Sequence, residues 1–239
     1  MNAIREVHTE RHKDVYGSPR MHQELLDRGW RVCRSTVEKL MRDAGITAST
    51  HRRFRVTTTD SAHKLPVAKN TVNRDFERSE PNEVWVSDLT YIRTRKGWLY
   101  LVAIIDLYSR RVVGWSMAAE MTTDVFLSAL EMALGMRGDV NGLIHHSDRG
   151  SQYCSSAFQA ALKRHRIECS MSRKGDCYDN AVAESFFATL KKELIYQNDY
   201  PDQHAACSSI FEYIEVFYNR VRRHSALNWL SPEQYEQQG

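Results

Sequence analysis

Three runs of β-branched and aromatic residues, 84–92, 98–106 and 111–117, follow one another with only Arg-Lys-Gly and Leu-Tyr-Ser-Arg turns between them. Connections that short force neighbouring strands to run antiparallel, so the middle of the chain is constrained to a three-stranded meander. The period then changes. Val125, Phe126, Ala129, Leu130, Ala133 and Leu134 recur at helical spacing, and 142–147 and 167–171 read as short strands. Further helices are expected over 156–166, 181–194 and 202–222. The order βββαβαβα predicts an α/β fold, a mixed five-stranded sheet with flanking helices.

Ahead of the meander the chain reads differently. Ser18-Pro19 opens a helix, since Ser caps and Pro is tolerated in the first turn. Met21, Leu25 and Leu26 fall on one side of it, and Gly29 is the stop. Ser35-Thr36-Val37-Glu38 has the capping-box spacing and starts a second helix, with Val37, Leu40 and Met41 inward and Gly45 at its end. Two such helices form a helix-turn-helix-like unit whose second member would enter a DNA major groove, with Arg34, Lys39 and Arg42 outward. A plain helical hairpin is the alternative. From His51 to about Glu80 periodicity fails and the segment reads as a basic linker. The expected organisation is a helical module over 1–50, a linker over 51–80, an α/β core over 81–200 and a helical tail over 201–239.

Charge points to a polyanionic partner. The net charge of +3 conceals 16 Lys and Arg against 11 Asp and Glu in residues 1–80, and 17 against 19 in the remainder. Phosphate neutralisation supplies most nonspecific nucleic-acid affinity, although a merely solvated basic face has the same composition. With 42% hydrophobic and 26% charged residues, neither a disordered chain nor a fibre is expected. The longest apolar stretch, 100–105, falls far short of the roughly 20 residues of a membrane span, and no signal-peptide core opens the chain. Five scattered cysteines without Cys-x-x-Cys read as reduced thiols of a cytoplasmic protein.

Asp88 stands in mid-strand on the face of Val84, Val86 and Thr90, because strand side chains alternate. A carboxylate there is costly unless something compensates it. Asp148 follows the strand 143–147, where α/β sheets place their sites. Glu184 lies one turn into the helix that Asp179-Asn180 opens, away from Phe186, Phe187 and Leu190. Three converging carboxylates repel one another. Hard divalent cations resolve that with oxygen ligands, and two of them clamp the attacking and leaving oxygens of an in-line phosphoryl displacement. Lys191, seven positions after Glu184, returns to nearly the same helix face, where a cation suits a DNA phosphate. Arg149, Gln152 and Asn180 flank the carboxylates as candidate DNA contacts. Asn180 is also the best placed to orient a ligand, and ordinary loop structure is the alternative for Arg149 and Gln152. Asp106 ends a strand too, but is read as a turn residue pairing with Ser109 or Arg110.

These residues carry a resemblance. His146-Ser147-Asp148-Arg149-Gly150-Ser151-Gln152-Tyr153, then Tyr178-Asp179-Asn180-Ala181 leading to Glu184-Ser185-Phe186-Phe187 and Lys191, are similar to the D,D-35-E core of retroviral integrases and bacterial transposases. More narrowly they resemble the second-frame (OrfB) transposases of the IS-three insertion-sequence family. The closing Tyr218-Asn219-Arg220-Val221-Arg222-Arg223-His224-Ser225-Ala226-Leu227 and Ser231-Pro232-Glu233 resemble that family's tail, and the helices within 18–45 its helix-turn-helix-like region. The resemblance covers nearly the whole chain. It implies a ribonuclease-H-like catalytic core in which Asp88, Asp148 and Glu184 are the catalytic residues and hold Mg²⁺, with Mn²⁺ as substitute, as two ions. It implies DNA hydrolysis to a 3′-hydroxyl at the element end, then transfer of that end to another phosphodiester without a covalent enzyme intermediate. Lys191 would hold the terminal DNA, and a homo-oligomer would assemble on the terminal inverted repeats and target. Members usually carry a longer segment before the helical module. Their active enzyme is typically a frameshift fusion whose upstream product supplies a leucine zipper, which this sequence lacks. An amino-terminally shortened frame and an upstream fusion partner are therefore also implied.

Other constellations are weaker. His8-x-x-x-His12 has half the spacing of a zinc site, but no Cys-x-x-Cys follows and a closed site needs four ligands. His146 shares a strand face with Asp148 and is expected in a supporting role. Ser151 and Ser185 lack a Gly-x-Ser-x-Gly setting, and no P-loop pattern occurs. Two rival functions remain: a DNA-binding protein with an inactive acidic core, and a ribonuclease-H-like nuclease that never joins strands.

Overall fold

The computed structural model describes residues 1–49, 65–73, 75–173 and 180–238. Half of the expected linker, residues 51–64 and 74, and Tyr178 and Asp179 of the acidic motif, lie outside the described residues. The meander consists of β1 (Val84–Thr94), β2 (Gly97–Asp106) and β3 (Val112–Ala118). It is followed by α4 (Thr123–Arg137), β4 (Ile144–Ser147), α5 (Ser156–Arg164), β5 (Glu168–Met171) and α6 (Ala181–Glu193). The sheet order is β3-β2-β1-β4-β5, with β1 antiparallel to β2 and parallel to β4. The mixed five-stranded sheet with flanking helices is thus observed.

Alternation decides which helix each strand residue meets. Trp85, Val102, Ile104 and Val113 pack with Phe126 and Leu130 of α4 and Phe158 and Leu162 of α5. Val84, Val86, Leu101 and Ala103 point the other way, to Phe186, Phe187 and Leu190 of α6 and to the tail. Asp88 has the parity of Val84 and Val86, so it belongs to the α6 face. On the opposite side α4 comes very near β3. A Cβ on Gly114 would lie 2.3 Å from the Ala129 carbonyl oxygen and 2.7 Å from the Ala133 Cβ.

The tail departs from the single helix expected over 202–222. α7 (Gln203–Glu212) runs into a π turn at Tyr213–Tyr218. The wider turn lets Tyr213, Ile214, Phe217 and Tyr218 all face the core. Next comes Asn219, which donates Nδ2 to the Val112 carbonyl and accepts the Val112 N–H at Oδ1, both at 3.0 Å. One side-chain amide thereby pairs the start of β3. α8 (Pro232–Glu236) opens on a Ser231–Gln234 capping box and sends Glu236 to Ser109, Arg111 and Arg137. Asp106 is fully buried and structural, but its carboxylate accepts the Asn82 and Tyr108 N–H groups and faces Arg137. Its link to Arg110 is only between backbones.

At the amino end α1 (Asn2–Thr9), α2 (Ser18–Asp27) and α3 (Arg34–Asp43) share a small core of Ile4, Val7, Met21, Leu25, Val37 and Met41. Two expected caps do not form. Gly17 is the N-cap of α2, which puts Ser18 and Pro19 in the first turn. α3 starts directly after Cys33, which puts Ser35 inside the helix and leaves no capping box. Gly29 and Gly45 do end these helices, at φ of +83° and +67°. The module docks on the tail. Glu24 meets Lys13 at 2.8 Å, Arg28 at 3.0 Å and Arg223 at 2.9 Å. Burial raises the Glu24 carboxyl, but hydrogen bonds from Lys13, Arg223 and Arg28 outweigh it and hold its pKa at about 2. Among the described residues no helix is long and apolar enough to cross a membrane.

Two outcomes follow from this packing. Gly114→Ala is expected to cost about 1–3 kcal/mol or more through overpacking, seen as a lower urea midpoint; an unchanged midpoint contradicts the close approach. The Glu24 pKa falls on folding from 4.5 to about 2, so its contribution is full above pH 4.5 and lost as pH drops towards 2. The stability gap between wild type and Glu24→Gln should therefore shrink across that range, and a pH-independent gap would refute the docking role.

Candidate active site

β1 and β4 run parallel with Ser87 opposite Ser147, so the next residues, Asp88 and Asp148, leave adjacent strands side by side. β4 ends there while β1 continues to Thr94, which opens a crevice at the carboxyl end of β4. Asp88 Oδ1 accepts the Leu89 N–H at 2.8 Å, and Asp148 Oδ1 accepts the Gly150 N–H at 2.8 Å. A Cβ on Gly150 would lie 3.1 Å from that Oδ1, so glycine keeps the loop tight on the carboxylate. Glu184 stands exposed in the first turn of α6. Burial first, then Asp148 and Glu184, push the Asp88 carboxyl up to about 8, against the Leu89 N–H and Lys191. Three side chains distant from Asp88 in sequence, Asp148, Glu184 and Lys191, thus act on one carboxyl.

α6 is held in place by a residue expected at the DNA. Asn180 is 4% exposed at the N-cap position, and its Nδ2 donates to the Ser87 carbonyl at 3.1 Å. So enclosed an amide cannot reach DNA; it tethers α6 to the residue before Asp88. On the other face of the sheet the Ser87 hydroxyl shares a 2.7 Å hydrogen bond with the buried Tyr153 hydroxyl. Burial raises the Tyr153 phenol well above its ordinary range, so the proton stays. Neither Ser87 nor Tyr153 is singled out by sequence, although Ser87 sits on the opposite strand parity from Asp88. His146 has a structural role, as its expected supporting place allows. Its Nδ1 meets the Ser170 hydroxyl at 2.8 Å and its Nε2 the Ser172 hydroxyl at 3.1 Å, so the ring ties β4 to the β5 side.

The remaining candidates are spread out. Arg149 is half-buried and donates Nε to the Ser172 carbonyl at 2.7 Å, while Gln152 is half-buried and accepts from the Ser151 hydroxyl. Arg34, Lys39 and Arg42 are exposed on α3, away from the carboxylates in chain and module. Lys191 holds its ammonium 5.5 Å from the Tyr91 ring centroid; burial lowers its pKa and Asp88 raises it. Tyr91 meets the exposed Trp98 edge-on at 5.1 Å, and both line a cleft of about 670 Å³ with Lys191.

The donor set is carboxylate oxygen throughout, which suits Mg²⁺ or Mn²⁺ rather than softer metals. Among the described residues no three His, Cys, Asp or Glu side chains enclose a single point as they stand. The fit rests on donor chemistry and on the repulsion at Asp88, which a divalent cation would cancel. Because the Asp88 pKa rises on folding from 3.8 to about 8, its ionisation penalises the native state increasingly from pH 3.8 to 8. With chelator present, Asp88→Asn should melt about 2 °C or more above wild type at pH 8, the gap narrowing towards pH 4. A variant that melts lower at pH 8 refutes this electrostatic account.

Comparison with known proteins gives three family matches: an HTH-like domain over residues 1–54, and an integrase core domain over 78–177 and again over 165–232. The chain is 47% identical over 226 residues to Transposase InsF for insertion sequence IS3A of Escherichia coli (strain K12), covering 95% of this chain and 78% of that protein. It is 44% identical over 227 residues to the insertion element IS600 uncharacterized 31 kDa protein of Shigella sonnei, covering 95% and 83%. Among solved structures, a chain of the simian T-cell lymphotropic virus intasome in complex with PP2A regulatory subunit B56 gamma aligns with TM-score 0.57 and 16% identity. That alignment covers 98% of this chain and 74% of the other. The HTLV-2 integrase catalytic core domain in complex with magnesium, trimeric form, aligns with TM-score 0.50 and 18% identity over 66% and 97%. At such identities the structural likeness speaks for the fold alone, which is the ribonuclease-H-like integrase fold.

Proposed function

The chain belongs to the IS3 family of insertion-sequence transposases, with an integrase core domain behind an HTH-like domain, and we propose that it cleaves DNA at an element end to free a 3′-hydroxyl and joins that end to a target phosphodiester. The observation that carries this reading is that β1 and β4 bring Asp88 and Asp148 side by side, with Glu184 and Lys191 of α6 acting on the same half-buried Asp88 carboxyl. Divalent ions held by Asp88, Asp148 and Glu184, as a pair of Mg²⁺ or Mn²⁺, would activate the attacking oxygen and stabilise the leaving one in an in-line displacement.

The chain's own residues position the reactants. Asn180 and Ser87 keep α6 against β1, so Glu184 stays beside the aspartates. Lys191 binds a phosphate at the element end, and the neighbouring Tyr91 and Trp98 offer ring faces to unpaired bases. Arg149 and Gln152 meet DNA at the loop after Asp148. Arg34, Lys39 and Arg42 contact it from α3, and their charge contributes affinity that falls with salt. The chain works as a homo-oligomer on the terminal inverted repeats and target DNA in the cytoplasm, with an upstream-frame product as fusion partner. Residues 1–50 serve as its DNA-binding module, 51–80 as a basic linker, 81–200 as the catalytic core and 201–239 as a supporting tail.

The test is reverse joining. Purified chain with Mn²⁺ or Mg²⁺ should resolve a branched DNA that mimics a joined end. Asp88→Asn, Asp148→Asn and Glu184→Gln should each slow resolution at least about a hundredfold, the loss of several kcal/mol of transition-state stabilisation, with fold and DNA binding retained. Resolution that persists in these variants sinks the assignment. Joining of a free 3′-hydroxyl end, as well as cleavage, separates a transposase from a nuclease. Lys191→Ala is expected to weaken binding to the element end more than to random duplex; an equal loss for both removes Lys191 from that role.

A further inference from the structure

α6 presents a second working face. Around the helix from Glu184 and Lys191, the residues Ser185, Phe186 and Thr189 form one wall of an open cavity of about 350 Å³. The other walls bring together Arg20 of α2, Arg110 of the β2–β3 turn and Arg222 of the tail. Their charges are not balanced from within. Arg222 is 4% exposed and gives Nε and Nη2 to the two oxygens of Glu193, each at 2.7 Å, with Nη1 against the His224 ring. Arg20 gives Nη1 to the same carboxylate at 3.1 Å and Nε to the Arg223 carbonyl at 3.0 Å. The Tyr213 hydroxyl also donates to Glu193, at 2.7 Å. One carboxylate therefore serves two guanidiniums and a phenol.

Arg110 stands outside that arrangement. Its Nη2 reaches the Phe76 carbonyl only at 3.4 Å, and its Nη1 is buried without an acceptor among the described residues. The anion that it senses, Asp106, is already engaged by Arg137 and by two backbone N–H groups. Its backbone adopts a left-handed φ of 59°, uncommon away from glycine, and this carries the side chain to the cavity. His224 offers no further positive charge, because burial and then Arg222, Arg20 and Arg110 press its pKa well below the ordinary range. Among the described residues, two guanidiniums share the Glu193 carboxylate and a third, Arg110, has none of its own; walled by the hydroxyl-bearing Ser185, Thr189 and Ser225, they make a receptor for an anion with several acceptor oxygens.

We propose that this cavity binds one phosphodiester of the DNA on which the chain acts, an assignment that rests on the transposase reading above. Phosphate is the chemistry that fits: guanidinium forks match its oxygens, and the cavity adjoins the acidic crevice across a single helix. A strand passing over α6 from the carboxylates meets Ser185 one residue beyond Glu184. The tail segment from Tyr218 to Ala226 then has a task besides packing, since it supplies Arg222 and half the cavity mouth.

The full chain tests this in two arms. In the first, orthophosphate is titrated while thermal unfolding is followed; in the second, duplex DNA binding is measured over a series of salt concentrations. Orthophosphate should raise the wild-type melting temperature, and Arg110→Gln should lose most of that rise. Ala226→Glu should lose it too, by setting a carboxylate at the exposed mouth, and it guards against a misfolded Arg110 variant. Both variants should lower the slope of log affinity against log salt by about one, the value of one phosphate contact. Glu184→Gln should leave both readouts unchanged. An unaltered phosphate response and salt slope in Ala226→Glu overturns the proposal. A lost phosphate response with an unaltered salt slope assigns a free-phosphate site and overturns the DNA assignment, as does wild type that fails to bind duplex. Duplex binding with the expected slopes but no resolution of branched DNA refutes the catalytic reading and leaves this one standing.

Discussion

The packing of α6 on one apolar face of β1 sets where every charged group of the crevice stands. Val84 and Val86 meet Phe186, Phe187 and Leu190, side chains whose full burial is worth about 1.5–3 kcal/mol each. The same strand parity then places Asp88 against the same helix. Its carboxyl is pushed up to about 8 there, so the face that stabilises the fold also carries an electrostatic cost. Apolar burial offsets that cost, and the Asn180–Ser87 hydrogen bond fixes the helix end at which Glu184 projects. A core that tolerates an unfavourable carboxyl at its edge is what a metal-dependent site requires before its cation binds.

The same helix joins the three parts of the chain. At its amino end Asn180 grips β1; at its carboxyl end Glu193 accepts Arg222 from the tail and Arg20 from the helical module. Module and tail are further bound through Glu24 and Arg223, both half-buried or deeper. Buried ion networks of this kind specify one docking more than they add stability, since removing one partner strands the others. The basic module is therefore held in a defined place relative to the acidic crevice, with α6 as the common reference.

The elements that bury side chains on a regular period were legible from sequence: the three strands of the meander, the α4 stripe, and the face on which Asp88 lies. What escaped was decided by contacts distant in the chain or by a shift of one or two residues. Ser35 had the right spacing for a capping box, yet α3 begins two residues earlier because Cys33 takes the cap position. The π turn at Tyr213–Tyr218 brings two pairs of large residues, 213–214 and 217–218, to the same core. Asn180 looked like a polar residue one turn from Glu184, and only the Ser87 carbonyl across the crevice turns it into a tether. His146 has the supporting role expected of it, but its partners, Ser170 and Ser172 on the β5 side, are not marked by any local pattern. The cavity of Arg20, Arg110 and Arg222 draws on residues some 200 positions apart, which no local pattern reports.

The central claim is that Asp88, Asp148 and Glu184 form one divalent-cation site. Anomalous diffraction from crystals of the full chain soaked in Mn²⁺ tests it most directly. The account predicts a manganese peak bonded to carboxylate oxygens of both Asp88 and Asp148, with Glu184 turned towards it, and its loss in Asp88→Asn. Manganese bound elsewhere while the crevice stays empty at saturating Mn²⁺ would contradict it.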